Sequence, residues 1–145
     1  EWQSDRARLV ECGVIKTKTN GSQGERLRQL YSGINQLLKK FKPDTLAVED
    51  SFLGKNFLSA KVLGGAKAVA LLAGAERELD TYEFSPREVK QAIVGNGGAS
   101  KPQVNFMVSN LLHLKSPLTE DSSDALAVAL CCAFRSNATL GKKQN

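Results

Sequence analysis

The chain has 145 residues, 41% of them apolar and 24% charged, and its 20 Lys+Arg against 15 Asp+Glu give a formal net charge of +5. That length accommodates one domain with a real core, and that composition excludes a disordered or fibrous chain. The longest nearly apolar run, residues 66–74, contains Lys67 and is too short to cross a bilayer.

In chain order, residues 9–17 (LVECGVIKT) are rich in β-branched side chains and predict a strand. Residues 20–24 form a turn cluster. Residues 25–41 place Leu27, Leu30, Tyr31, Ile34, Leu37, Leu38 and Phe41 at helical spacing, with lysines closing the last turn. Pro43 and Asp44 stop that helix, and residues 45–49 (TLAVE) read as a short buried strand, half of an α/β unit. A long apolar helix starts at Asn56 or Ser59 and runs to about Glu78, apolar enough to be buried on more than one side, against a sheet and a partner subunit. Residues 81–84 predict another strand, and 87–94 a short helix ending at Gly95-Asn96-Gly97-Gly98. Ser100-Lys101-Pro102-Gln103 has capping-box form and opens an amphipathic helix over 104–114. Pro117 breaks it, residues 121–135 form the last helix, and 137–145 a polar, basic tail that frays. The domain is expected to occupy residues 1–136.

No charged-then-apolar leader opens the chain, and Cys12, Cys131 and Cys132 are too few and too awkwardly spaced for a disulfide framework or a zinc site. Free thiols in a reducing cytoplasm are the expectation. A net +5 suits an acidic partner without identifying one.

Five features could carry chemistry. Glu49 ends an apolar strand, and in open α/β sheets functional groups gather beyond the carboxyl ends of strands; an exposed acid, or one paired with a lysine such as Lys55, accounts for it as well. Asp121 and Asp124, three apart at a helix start, share one side of that helix and with Glu120 could hold a divalent cation through oxygen ligands. Capping and the helix dipole explain the same pattern without metal. The glycine loop at 95–98 could cradle phosphate through its amides, but it lacks the third glycine of GxGxxG and the GK[ST] of a P-loop, so a hinge suits it better. Lys90 and Lys101 flank that loop and could meet phosphates, or simply be solvated. Phe52 could stack on a base or wedge a duplex, or pack in the core. His113, the single histidine, has no triad to join.

The order of these features, carried by LAVEDSFLGKN (46–56), VKQAIVGNGGASKPQV (89–104) and EDSSDALAVAL (120–130), resembles the RuvC family of bacterial Holliday-junction resolvases over nearly the whole chain. The resemblance implies an RNase H-like fold, a mixed five-stranded sheet flanked by helices, acting as a homodimer on four-way junction DNA. It further implies two Mg²⁺ per subunit, with Mn²⁺ as a substitute, held by Glu49, Asp121 and Asp124. Lys90 and Lys101 would lie near the scissile phosphate, Phe52 and Lys55 in the junction-contacting loop, and a branch-migration complex of the RuvA and RuvB type would be a partner. A fourth carboxylate, which the family carries as an Asp in a D-P-G-type turn ending its first strand, has no counterpart here. Asp5 sits in a polar turn without the glycine pattern. The expectation is therefore an N-terminally truncated chain whose full-length parent, rather than the fragment, is the enzyme.

The activity so implied is metal-dependent phosphodiester hydrolysis in recombination and repair, by a cytoplasmic protein with no membrane partner. Two rivals follow from the same residues. One is a non-catalytic nucleic-acid-binding module of the same fold, favoured by the absent fourth acid. The other is an actin-like ATPase, which would need phosphate loops that the sequence does not contain.

Overall fold

In the computed structural model, which describes residues 1–3, 6–50 and 57–141, the chain runs β1 (Trp2–Gln3), β2 (Arg6–Ala7), α1 (Gln23–Phe41), β3 (Thr45–Glu49), α2 (Phe57–Ala75), β4 (Asp80–Phe84), α3 (Pro86–Val94), α4 (Lys101–Leu111) and α5 (Glu120–Gly141). Strands alternate with helices through the middle of the chain, which is the expected α/β class. The described strands form two-stranded ladders, β1 beside β2 and β3 beside β4. The chain divides into two units, residues 15–83 and the paired segments 1–14 and 84–145.

In the unit of residues 15–83, α1 begins at a reciprocal cap. Ser22 Oγ accepts from the Glu25 amide at 3.3 Å, and the Glu25 carboxylate accepts the Ser22 N–H at 2.7 Å, so two amides left over by the helix are satisfied. Lys42 closes the helix in the left-handed region, φ 45°, donating its N–H to the Leu38 carbonyl. Helix α1 packs on α2, where Arg77 donates to Asn35 Oδ1 at 2.8 Å and the Tyr31 hydroxyl donates to Glu76. Helix α2 lies on the strands at Gly74. A Cβ there would meet Leu46 Cδ2 at 2.8 Å and Thr81 Oγ1 at 3.2 Å, so a larger residue would require the Leu46 side chain to shift. The helix is apolar on several sides, as expected, but leaves Val62, Leu63 and Leu72 exposed.

The other unit is built on α3, α4 and α5, which pack against one another around Val89, Ile93, Ala99, Val104, Val108, Ala127, Val128, Leu130 and the two buried cysteines. Antiparallel pairing sets Trp2 opposite Ala7, and the Trp2 ring meets Phe134 edge to face at 5.7 Å. All three cysteines are free, and burial pushes the Cys131 thiol above its ordinary range. Among the described residues no helix is long and apolar enough to cross a membrane.

The structure corrects four expectations. Residues 9–17 form no strand; Val10 and Val14 are 52% and 61% exposed and find no partner edge among the described residues. β-Branched residues favour a paired, half-buried surface, and without the partner their preference has nothing to act on. His113 is not helical: α4 ends at Leu111, and His113 takes φ 52° in the turn that follows. The last helix continues through Gly141, past Arg135. The glycine loop is pinned rather than hinged. Gly95 caps α3 at φ 77°, the Gln91 side chain donates to the Gly95 carbonyl at 2.9 Å and accepts from the Gly97 N–H at 3.1 Å, and the Gly98 N–H donates to Asn96 Oδ1 at 2.9 Å.

Candidate active site

The candidate acids fall in both units. Glu49 is the exposed last residue of β3 in the unit of residues 15–83. Its direction follows from the pleat. Leu46 lies against α2 at Gly74, so Val48 and Asp50 share the α2 side, while Ala47 and Glu49 take the opposite side. Beside it, Lys67 of α2 donates to Asp50 and pairs with Glu83 of β4. Asp50 and then Glu83 hold the Lys67 ammonium above the usual lysine range. This node was absent from the expected site. Its one signal in the sequence is a lone lysine inside the apolar run 66–74, and its partners come from distant segments.

Asp121 and Asp124 are the second and fifth residues of α5. Capping does not explain them. Thr119 serves the helix start, its Oγ1 accepting the Ser122 N–H at 3.3 Å and its carbonyl accepting the Ser123 N–H at 2.9 Å. The dipole favours acids in the first turn, which accounts for Glu120 and Asp121 but reaches Asp124 weakly, since the effect fades beyond that turn. Lys101, the first residue of α4, reaches across to Glu120 Oε1 at 2.6 Å and Asp124 Oδ2 at 3.4 Å. Glu120 first, then Asp124, hold its ammonium above the ordinary range. At the start of α4 the Gln103 Oε1 accepts from the Ser100 N–H at 2.8 Å.

The structure thus joins Lys101 to Asp124 and to Glu120 on the helix that carries Asp121. Lys90 lies half-buried on α3 in the same unit. Phe52 and Lys55 lie outside the described residues, as does Asp5. Asp121 and Asp124 offer carboxylate oxygens, as does Glu49 in the other unit, and this is the donor type that suits a hard cation. Among the described residues no three His, Cys, Asp or Glu side chains are grouped to hold a metal ion. The amides of Gly97 and Gly98 are spent within their own loop, which leaves the phosphate-cradle reading of that loop without its donors.

A chain that ends an apolar strand in Glu and opens its last helix with a D-x-x-D that is not its cap can be compared with known proteins residue for residue. The sequence model of the crossover junction endodeoxyribonuclease RuvC family matches residues 1–132. The chain belongs to the RuvC family. The RuvC of Chloroflexus aggregans is 45% identical over 128 residues, covering 88% of this chain and 78% of that protein. The RuvC of Syntrophotalea carbinolica is 47% identical over 124 residues, covering 86% and 77%. Among solved structures, Thermus thermophilus RuvC in complex with Holliday junction substrate superposes with a TM-score of 0.87 at 33% identity, over 94% of this chain and 84% of that one. Thermus thermophilus RuvC gives a TM-score of 0.85 at 32% identity, covering 96% and 84%. The fold is therefore RNase H-like, as the sequence implied, and the family is one of nucleases that hydrolyse DNA.

Proposed function

We infer that this chain is the resolvase of four-way DNA junctions: an endonuclease that cuts two opposed strands symmetrically by phosphodiester hydrolysis, in recombination and repair. Nucleases of this family depend on divalent metal. The observation that carries the reading at the level of this chain is the pair Asp121 and Asp124, spaced on one side of α5 and released from capping duty by Thr119. Glu49, set on the side of β3 away from α2, is the third carboxylate. These three would hold the metal, two Mg²⁺ per subunit with Mn²⁺ as a substitute. When bound, such ions supply an activated water and charge stabilisation for the leaving 3′ oxygen.

The chain's own cations do the rest. Lys101, which pairs with Asp124, and Lys90 would neutralise a phosphate once that acid turns to a metal ion. Phe52 and Lys55, in the segment between β3 and α2, would contact the junction. Two copies working as a homodimer give the symmetry that paired cuts require, and the exposed Val62, Leu63 and Leu72 on α2 are apolar surface that a second copy could cover. A branch-migration complex of the RuvA and RuvB type fits as the partner that delivers junctions, and the cytoplasm as the place of work. The non-catalytic module is the weaker reading, because three acids around a DNA-facing surface oppose binding unless metal offsets them.

The test is made on protein from the complete reading frame. Cleavage of a synthetic four-way junction should require Mg²⁺, stop with chelator, and map to symmetric positions on two opposed strands. Junction binding without cleavage at any Mg²⁺ or Mn²⁺ concentration would favour the non-catalytic module instead.

A further inference from the structure

One side chain ties together the carboxyl ends of β3 and β4. Leu46 and Thr81 both approach α2 at Gly74, so by alternation Asp50, just past β3, and Glu83, near the end of β4, fall on the same side as α2. Lys67 projects from α2 between them and pairs with both carboxylates. Its side chain is 27% exposed against 48% for Asp50 and 43% for Glu83, so the ammonium is the sheltered member of the trio. A lysine ammonium has three donors on a compact head and can serve two carboxylates at once.

We propose that Lys67 is a positioning residue for Glu49: by clamping Asp50 and Glu83 on the α2 side, it fixes the end of β3 with Glu49 turned to the other side. The proposal rests on the reading of Glu49 as a site carboxylate. Without the ammonium, Asp50 and Glu83 would repel each other at adjacent strand ends, and β3 would lose the anchor immediately after Glu49. An acid freed at Asp50 would also compete with its neighbour for whatever cation or donor Glu49 engages.

In protein from the complete reading frame, Lys67→Met should lower the single-turnover rate of junction cleavage about ten-fold, the size expected when an outer partner of a site residue is removed. The dissociation constant for the junction should stay at the parental value, and amide exchange at residues 47–50 should quicken. Lys67→Arg should restore most of the rate. The double variant with Asp50→Asn should cost no more than Lys67→Met alone, since Lys67→Met already removes the Asp50 pairing. A parental rate in Lys67→Met overturns the proposal, as does a joint fall in rate and affinity that Lys67→Arg does not restore. Should Lys67→Met fail to fold, Asp50→Asn decides: a several-fold slower rate at unchanged affinity supports the clamp, and an unchanged rate refutes it. Glu49→Gln separates the two levels. Cleavage that survives in Glu49→Gln removes the site reading itself, whereas an inactive Glu49→Gln beside a fully active Lys67→Met removes only the positioning role.

Discussion

Two lysines in this molecule each hold a pair of carboxylates, and their surroundings differ. Lys67 sits between a helix and two strands with 27% of its side chain exposed, while Lys101 spans two helix starts with 60% exposed. Exposed ion pairs contribute little and are screened by salt, so the Lys101 contacts to Glu120 and Asp124 are easily exchanged for a phosphate or a cation. Lys67 is the more sheltered lysine, and its loss would leave Asp50 and Glu83, themselves partly exposed, as like charges side by side. On the proposed reading, one lysine serves the chemistry, which needs contacts that can change, and the other the frame, which needs contacts that hold.

The sharpest way to break this comparison is to neutralise one acid of each pair. Asp124→Asn should reduce junction cleavage more than about 100-fold, beyond the loss of any outer partner, whereas Asp50→Asn should reduce it about ten-fold or less. Equal losses would erase the distinction between chemistry and frame. Next in size is the response to salt. Lys101→Gln should weaken junction binding and lower the slope of log affinity against log salt by about 1, as expected for one lost phosphate contact, and Lys67→Met should leave the slope unchanged. A smaller effect comes from Thr119→Ala, which removes the cap that frees Asp121 and Asp124. It should cost about 1 kcal/mol of stability, read as a lowered Tm, without altering junction affinity.

The smallest expected effect concerns two further caps. Glu25 completes the α1 cap, and its hydrogen bonds with Ser22 hold its carboxyl below the usual glutamate range. A depressed folded value means that this contribution is present above the ordinary glutamate pKa and lost as pH falls through the folded value. Gln103 fills the same position in α4 and does not titrate. Amide exchange at the start of α1 should therefore quicken on acidification, while the start of α4 keeps its protection; Glu25→Gln should abolish the difference.

Much of this was legible in the sequence. Residues 45–49 were read as a strand ending in Glu49, the bounds of α1 and α3 fell within two residues, and Asp121 with Asp124 stood out by spacing. What sequence pattern could not supply was tertiary partnership. Lys67 pairs with Asp50 seventeen residues away and with Glu83 on a different strand, and nothing local marks either acid. Residues 9–17 have strand composition, yet a strand is a property of two chain segments in register, and Val10 and Val14 remain exposed. The glycine loop suggested freedom, but Gln91 is positioned to satisfy its backbone from both directions. The D-x-x-D pattern fits capping equally well in sequence, and only the structure gives that role to Thr119, two positions ahead of Asp121.

The central claim is that Asp121, Asp124 and Glu49 serve hydrolysis of junction DNA. The most direct measurement is single-turnover cleavage of a four-way junction by the protein from its complete reading frame, compared with Asp124→Asn at matched junction binding. The account expects paired, symmetric, Mg²⁺-dependent nicks from the parent, and none from Asp124→Asn while the junction is still bound. Undiminished cleavage by Asp124→Asn would contradict it.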